Sequence, residues 1–87
     1  MVLGRKSSLE THNIVVDGHR TSVRLEPVMW DALHDIAHRR QVTVDALVTE
    51  VNSQRSASSL TAAIRIYIVE FYRALAAGEA RVPARPV

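Results

Sequence analysis

A change of hydrophobic period at Glu26-Pro27 constrains the fold of this chain more than any other feature of its sequence. From His19 to Leu25 the residues alternate, with Arg20, Ser22 and Arg24 polar against Thr21, Val23 and Leu25. A period of two places these sets on opposite faces of a strand. Beyond Pro27 the residues Trp30, Leu33, Ile36 and Ala37 recur at three- and four-residue steps, the period of a helix. Proline suits a first helical turn, where its missing N–H has no intrahelical partner to lose. A strand therefore runs directly into a helix, carrying two arginines on the face that the helix leaves uncovered.

The residues before this strand supply a partner for it. Asn13-Ile14-Val15-Val16 is β-branched, and Asp17-Gly18 separates it from His19. Asp-Gly between two strand-like runs predicts a two-residue type I′ hairpin. In that register Val16 pairs with His19, Val15 with Arg20 and Ile14 with Thr21. Ile14 and Val16 then join Val23 and Leu25 on the core face, where His19 is expected to pack as well. Asn13 and Val15 share the outer face with Arg20, Ser22 and Arg24. Residues 1–12 show no sustained period and are expected to form a flexible basic arm around Arg5-Lys6.

The first helix is expected over Pro27 to Arg40, with Arg39-Arg40 complementing the negative end of its dipole. Gln41 stands where a glycine would end a helix more comfortably. Thr43 is a good N-cap for a second helix, Asp45 suits its first turn, and Leu47, Val48 and Val51 form its apolar side. A polar loop, Asn52 to Ser58, leads to a third helix from Leu60 to about Ala77, capped by Ser58 or Ser59 and stopped at Gly78. The sequence thus divides into an arm (1–12), one mainly α-helical domain with a short β ribbon (13–77) and a disordered tail (78–87).

Composition excludes several classes of function. The chain has 87 residues and a formal net charge of +2, which allows one small domain and no polycationic tail. It has no cysteine, so disulfides and thiolate zinc sites are excluded. No apolar run approaches membrane-spanning length and no apolar segment follows Arg5-Lys6, a pattern read as cytoplasmic. His34 and His38 lie four apart without an HExxH motif or an obvious third ligand, and are read as exposed or partly packed residues rather than a metal site. Trp30, Tyr67, Phe71 and Tyr72 fall at helical spacing and are read as core. Asp17, His19 and Ser22 are sequence neighbours rather than a positioned nucleophile and base, and no glycine-rich phosphate loop is present. The chain is read as a non-enzyme without a cofactor.

The order strand, tight turn, helix, short connector, helix resembles the ribbon-helix-helix superfamily, which includes the Arc and methionine repressors. The run Gly-His-Arg-Thr-Ser-Val-Arg-Leu-Glu-Pro-Val-Met-Trp-Asp-Ala-Leu looks like one bacterial family of small proteins within it. Members of that family add a serine-rich connector and a third helix, similar to Ser56-Ala57-Ser58-Ser59-Leu60 and the helix after it. The resemblance spans about residues 12 to 75. It implies an intertwined homodimer whose two Arg20–Leu25 strands pair as a ribbon over a shared core of Thr21, Val23, Leu25, Trp30, Leu33 and Leu47. Such a dimer would answer a burial problem, since three short helices are too few to seal Trp30, Leu33 and Phe71 in one chain and Val23 and Leu25 lack a burial partner.

In DNA-binding relatives the ribbon enters the major groove of double-stranded DNA, which by register implies base contacts from Arg20, Ser22 and Arg24. Arginine can bind guanine O6 and N7 with two hydrogen bonds, and serine can donate or accept. The amides of Thr43 and Val44 would hold a phosphate at the start of the second helix. The function implied is a small dimeric transcriptional regulator. The extra strand before Asp17 departs from this pattern, because a dimer would then carry four strands against a groove roughly 12 Å wide. That departure favours, as an alternative, a protein-interaction module that does not bind DNA; a third possibility is an antitoxin-like partner protein whose C-terminal segment wraps a toxin.

Overall fold

A computed structural model of the chain describes residues 8–56 and 59–78. Its elements in order are β1 (Glu10–Val16), β2 (His19–Leu25), α1 (Pro27–Arg40), α2 (Val44–Gln54) and α3 (Leu60–Ala76). Most of the expected arm, and the expected tail beyond Gly78, lie outside the described residues.

The two strands form one antiparallel sheet whose register runs from Glu10 opposite Leu25 to Val16 opposite His19. Asp17 and Gly18 both take positive φ, 53° and 81°, as a type I′ turn requires. β1 begins three residues earlier than the β-branched run, so Glu10, Thr11 and His12 belong to the sheet and not to an arm. A distant contact holds them there. The His12 ring stacks on Trp30 at a centroid distance of 4.0 Å and an interplanar angle of 10°. The Trp30 indole Nε1–H also donates to the Glu10 carbonyl at 2.9 Å.

One residue joins sheet to helices. Glu26 is extended, with φ −60° and ψ 148°, and its carbonyl accepts from the amides of Met29 and Trp30 to open α1. Its carboxylate accepts from Nε and Nη2 of Arg65 on α3 at 3.0–3.3 Å. α1 closes at Gln41, which is left-handed at φ 60° and ψ 44°. Thr43 Oγ1 accepts from the Ala46 amide to cap α2, and Ser59 Oγ accepts from the Ala62 amide to cap α3. α3 stops before Gly78, at φ 85°.

The core lies between the inner face of the hairpin and the three helices, from Ile14, Val16, Val23 and Leu25 across to Trp30, Leu33, Ile36, Leu47, Val48, Ile64 and Ile68. Arg40 ties the helices together. Its Nη1 and Nη2 donate to the two Glu50 carboxylate oxygens at 3.1 Å each, and Nη1 also donates to the Tyr67 hydroxyl at 3.0 Å.

Two expectations change. Leu25, Leu33 and Leu47 are wholly buried and Val23 and Trp30 are 2% exposed within a single chain, with Thr21 half-buried. β1 and α3 supply the cover that a second copy was expected to bring, so burial alone does not call for a dimer. His19 is exposed rather than packed, because it sits beside the turn at the end of the sheet, where its ring reaches solvent. None of the described helices is long and apolar enough to cross a membrane.

Candidate nucleic-acid interface

The alternation of both strands, locked by the Asp17-Gly18 turn, puts Thr11, Asn13 and Val15 of β1 beside Arg24, Ser22 and Arg20 of β2 on the outer face. All six are exposed. They form three cross-strand rungs, Arg24 with Thr11, Ser22 with Asn13 and Arg20 with Val15. At a rise of about 3.3 Å per residue, Arg20 and Arg24 stand roughly 13 Å apart along the strand. The central rung is closed by a hydrogen bond, Ser22 Oγ donating to Asn13 Oδ1 at 3.0 Å.

The described arginines differ in what engages them. Arg39, Arg40 and Arg65 are each engaged by a carboxylate, Asp35, Glu50 and Glu26 respectively, at 3.0–3.1 Å. Arg55 donates to Asn52 Oδ1 at 2.8 Å, and Arg20 and Arg24, like Arg73 at the end of α3, have no acidic partner among the described residues. The sheet's outer face therefore carries positive charge that the fold itself does not use.

β1 is fixed at both ends of this face. Beyond the Trp30 contacts, the Asp17 amide donates to Thr49 Oγ1 of α2 at 3.1 Å, and the Thr49 hydroxyl donates to the Val15 carbonyl at 3.5 Å. Sequence reasoning placed Asn13 and Val15 on this face but gave neither a role, and it missed Thr11. Counting the turn register back two more residues would have found Thr11.

Thr43 and Val44 lie apart from this face. They open α2 beside His34 and His38 of α1, in a shallow groove that also takes Asp45. The hairpin meets α2 at Thr49, about 9 Å further along the helix axis. The Thr43 hydroxyl is taken up by the cap, and Asp45 sets a carboxylate in the same turn as the free amides. Among the described residues no three His, Asp or Glu side chains converge as a metal site would need.

A second surface lies between α1 and α3, where Val28, Met29, Ala32, Ile68 and Tyr72 line an open apolar groove edged by Asp31 and Asp35. The Tyr72 hydroxyl donates to the Asp35 carboxylate, which also accepts from Arg39 Nε at 3.0 Å. These two bonds, Tyr72 first, hold the Asp35 carboxyl below its ordinary value. Burial, followed by the same bond to Asp35, pushes the Tyr72 phenol up to about 12. Glu26 is also held low, first by its backbone hydrogen bond and then by Arg65.

An uncharacterized protein from Bordetella pertussis Tohama I has a similar structure, with a TM-score of 0.71 and 27% sequence identity over 92% of this chain and 68% of that one. No curated protein matches the chain. The family model for the ribbon-helix-helix domain matches residues 9–72. That span runs from the start of β1 to Tyr72 and takes in the outer face, the one-residue joint at Glu26 and most of α3. Domains of this kind are typically non-enzymatic, typically dimerise and generally bind DNA in transcription regulators or antitoxins. With most of its length matched and its strand–helix–helix order in place, the chain belongs to the ribbon-helix-helix domain family.

Proposed function

We propose that the protein is a small DNA-binding transcriptional regulator that acts as a homodimer and sets the outer face of its sheet into the major groove. The observation that carries this reading is the pair of arginines on that face, Arg20 and Arg24, without acidic partners among the described residues, while Arg39, Arg40 and Arg65 are all engaged. Such guanidinium groups attract phosphate over a distance and can bind guanine edges at contact. Ser22 between them adds a hydroxyl, and the amides at Thr43 and Val44 are candidates for a phosphate. Fluorescence anisotropy with duplex DNA at two salt concentrations tests the reading. Salt-sensitive binding that weakens in an Arg20→Ala/Arg24→Ala variant is expected. No binding to any duplex at low salt, or equal binding by the double variant, overturns it.

A second reading, a protein-interaction module, draws on apolar exposure. Val15 is 44% exposed on the sheet face, and Val28 is 66% exposed at the α1–α3 groove. A stoichiometric protein partner that co-purifies with the chain while DNA is absent would select this reading over the first.

A further inference from the structure

We infer that the outward face of α3 is a self-association surface, against which α3 of a second copy packs antiparallel. The inference goes beyond the homodimer proposed above. It adds a contact on the helical side of the core, while the edge of β2 that β1 leaves unpaired stays open to another copy.

α3 carries more apolar surface than one chain covers. Its inner face is seated, with Ile64 0% and Ile68 5% exposed. Its outer face is apolar as well, and Ile66 and Val69 are 52% and 50% exposed there. A helix that is apolar on both sides is ordinarily buried on both. Ile66, Val69, Arg73 and Ala76 follow one another at steps of three, four and three. At 100° and 1.5 Å per residue they share a stripe about 80° wide and roughly 15 Å long. Glu70 borders that stripe, about 40° beyond Ile66.

The charges identify what covers it. Glu70 and Arg73 are both exposed, and neither forms an ion pair with the other or with any group among the described residues. A nucleic acid or an anionic membrane would meet the Glu70 carboxylate with like charge. A second α3 meets it with Arg73. In parallel, two copies would set Arg73 against Arg73 at the same level. Antiparallel, about a two-fold axis at the level of Phe71, Arg73 of each copy stands on the same flank as Glu70 of the other and within about 2 Å of it along the helix axis. Both ion pairs then form at once.

In that register Ile66 lies over Ala76, whose small side chain admits close approach, and Val69 lies over the aliphatic stem of Arg73. The stripe is complementary to itself, as a two-fold contact requires. The core lies between the helices and the hairpin, so the contact leaves Arg20 and Arg24 uncovered.

Sedimentation of the full chain without DNA tests the inference, beside the variants Glu70→Arg, Arg73→Glu, Glu70→Arg/Arg73→Glu and Ile66→Ser. All three positions are exposed, and a thermal melt confirms that each variant folds. The wild type is expected to form an assembly of twice the mass of Glu70→Arg. Each single reversal turns two attractive pairs into two repulsive ones and should weaken association about tenfold. Ile66→Ser should weaken it to a similar extent, through apolar area left uncovered. The double reversal restores both pairs and should return the wild-type mass. Equal masses for the wild type and Glu70→Arg, or a double reversal that fails to restore association, overturns the inference. So does a different protein that co-purifies with the chain and is lost with Ile66→Ser while the chain does not self-associate through α3. A dimer in both the wild type and Glu70→Arg overturns the α3 contact and leaves the proposed homodimer standing; a monomer in both overturns that as well.

Discussion

Replacing Trp30 with phenylalanine tests what fixes β1. Trp30 is 2% exposed, donates its indole N–H to the Glu10 carbonyl at 2.9 Å and stacks under the His12 ring at 4.0 Å. Phenylalanine keeps an aromatic ring in the core but has no donor and a smaller face. The lost hydrogen bond is worth about 1 kcal/mol. The contracted ring and weakened stack add roughly 1–2 kcal/mol, for a total of about 2–3 kcal/mol. In a domain of this size that lowers the melting temperature by about 10–20 °C.

The loss is directional. Thr11 to Asn13 depend on Trp30, whereas Ile14 to Val16 are also held through the Thr49 bonds near the turn. Amide hydrogen exchange under native conditions should therefore accelerate about tenfold or more over Thr11–Asn13, and by less over Ile14–Val16. An unchanged melting temperature, or the same acceleration along the whole of β1, would refute the claim that Trp30 anchors the strand's start.

Other outcomes hang on single residues. Gln41 is left-handed at φ 60°, a conformation glycine adopts without strain, so Gln41→Gly should stabilise the domain by about 1 kcal/mol in urea denaturation. A destabilised variant would show that the glutamine side chain outweighs the backbone strain. The Asp35 carboxyl is lowered in the folded chain, so its contribution is present above the unfolded value near 3.8 and lost as pH falls through the folded one. Tyr72 is raised to about 12, so its contribution is lost as pH climbs from about 10 toward 12. Tyr72→Phe should abolish the alkaline decline and shallow the acid one, because Arg39 still lowers Asp35; thermal melts across both ranges read it directly.

Much of the architecture was legible because it rests on local rules. Asp17-Gly18 allowed one kind of hairpin, and that turn fixed the register of Ile14, Val15 and Val16 against Thr21, Arg20 and His19. Pro27, Thr43 and Gly78 marked helix boundaries through their own backbone chemistry. The start of β1 was hidden because Glu10, Thr11 and His12 are polar and gain their place from Trp30, on a different element far along the chain. The burial of Val23 and Leu25 was misjudged for a related reason. Once β1 is seven residues long and α3 closes over the core, one chain covers side chains that looked to need two. Of the candidate site, the β2 residues could be read from alternation. The commitment of the Asn13 carbonyl to Ser22 is a matter of side-chain geometry, on which residue order is silent.

The single residue between Leu25 and Pro27 leaves no slack between strand and helix. Each residue of an α-helix advances the azimuth by about 100°. Inserting one residue at Glu26 would turn the inward stripe of α1, Trp30, Leu33, Ile36 and Ala37, by more than a quarter circle away from the core, or drag the hairpin out of alignment with α3 through the Arg65 clamp. Length changes at this point should be purged from functional variants of the sequence. The joint thus works as a keyed coupling: the angle at which the sheet is offered to a partner is set by the same residue count that seats the core.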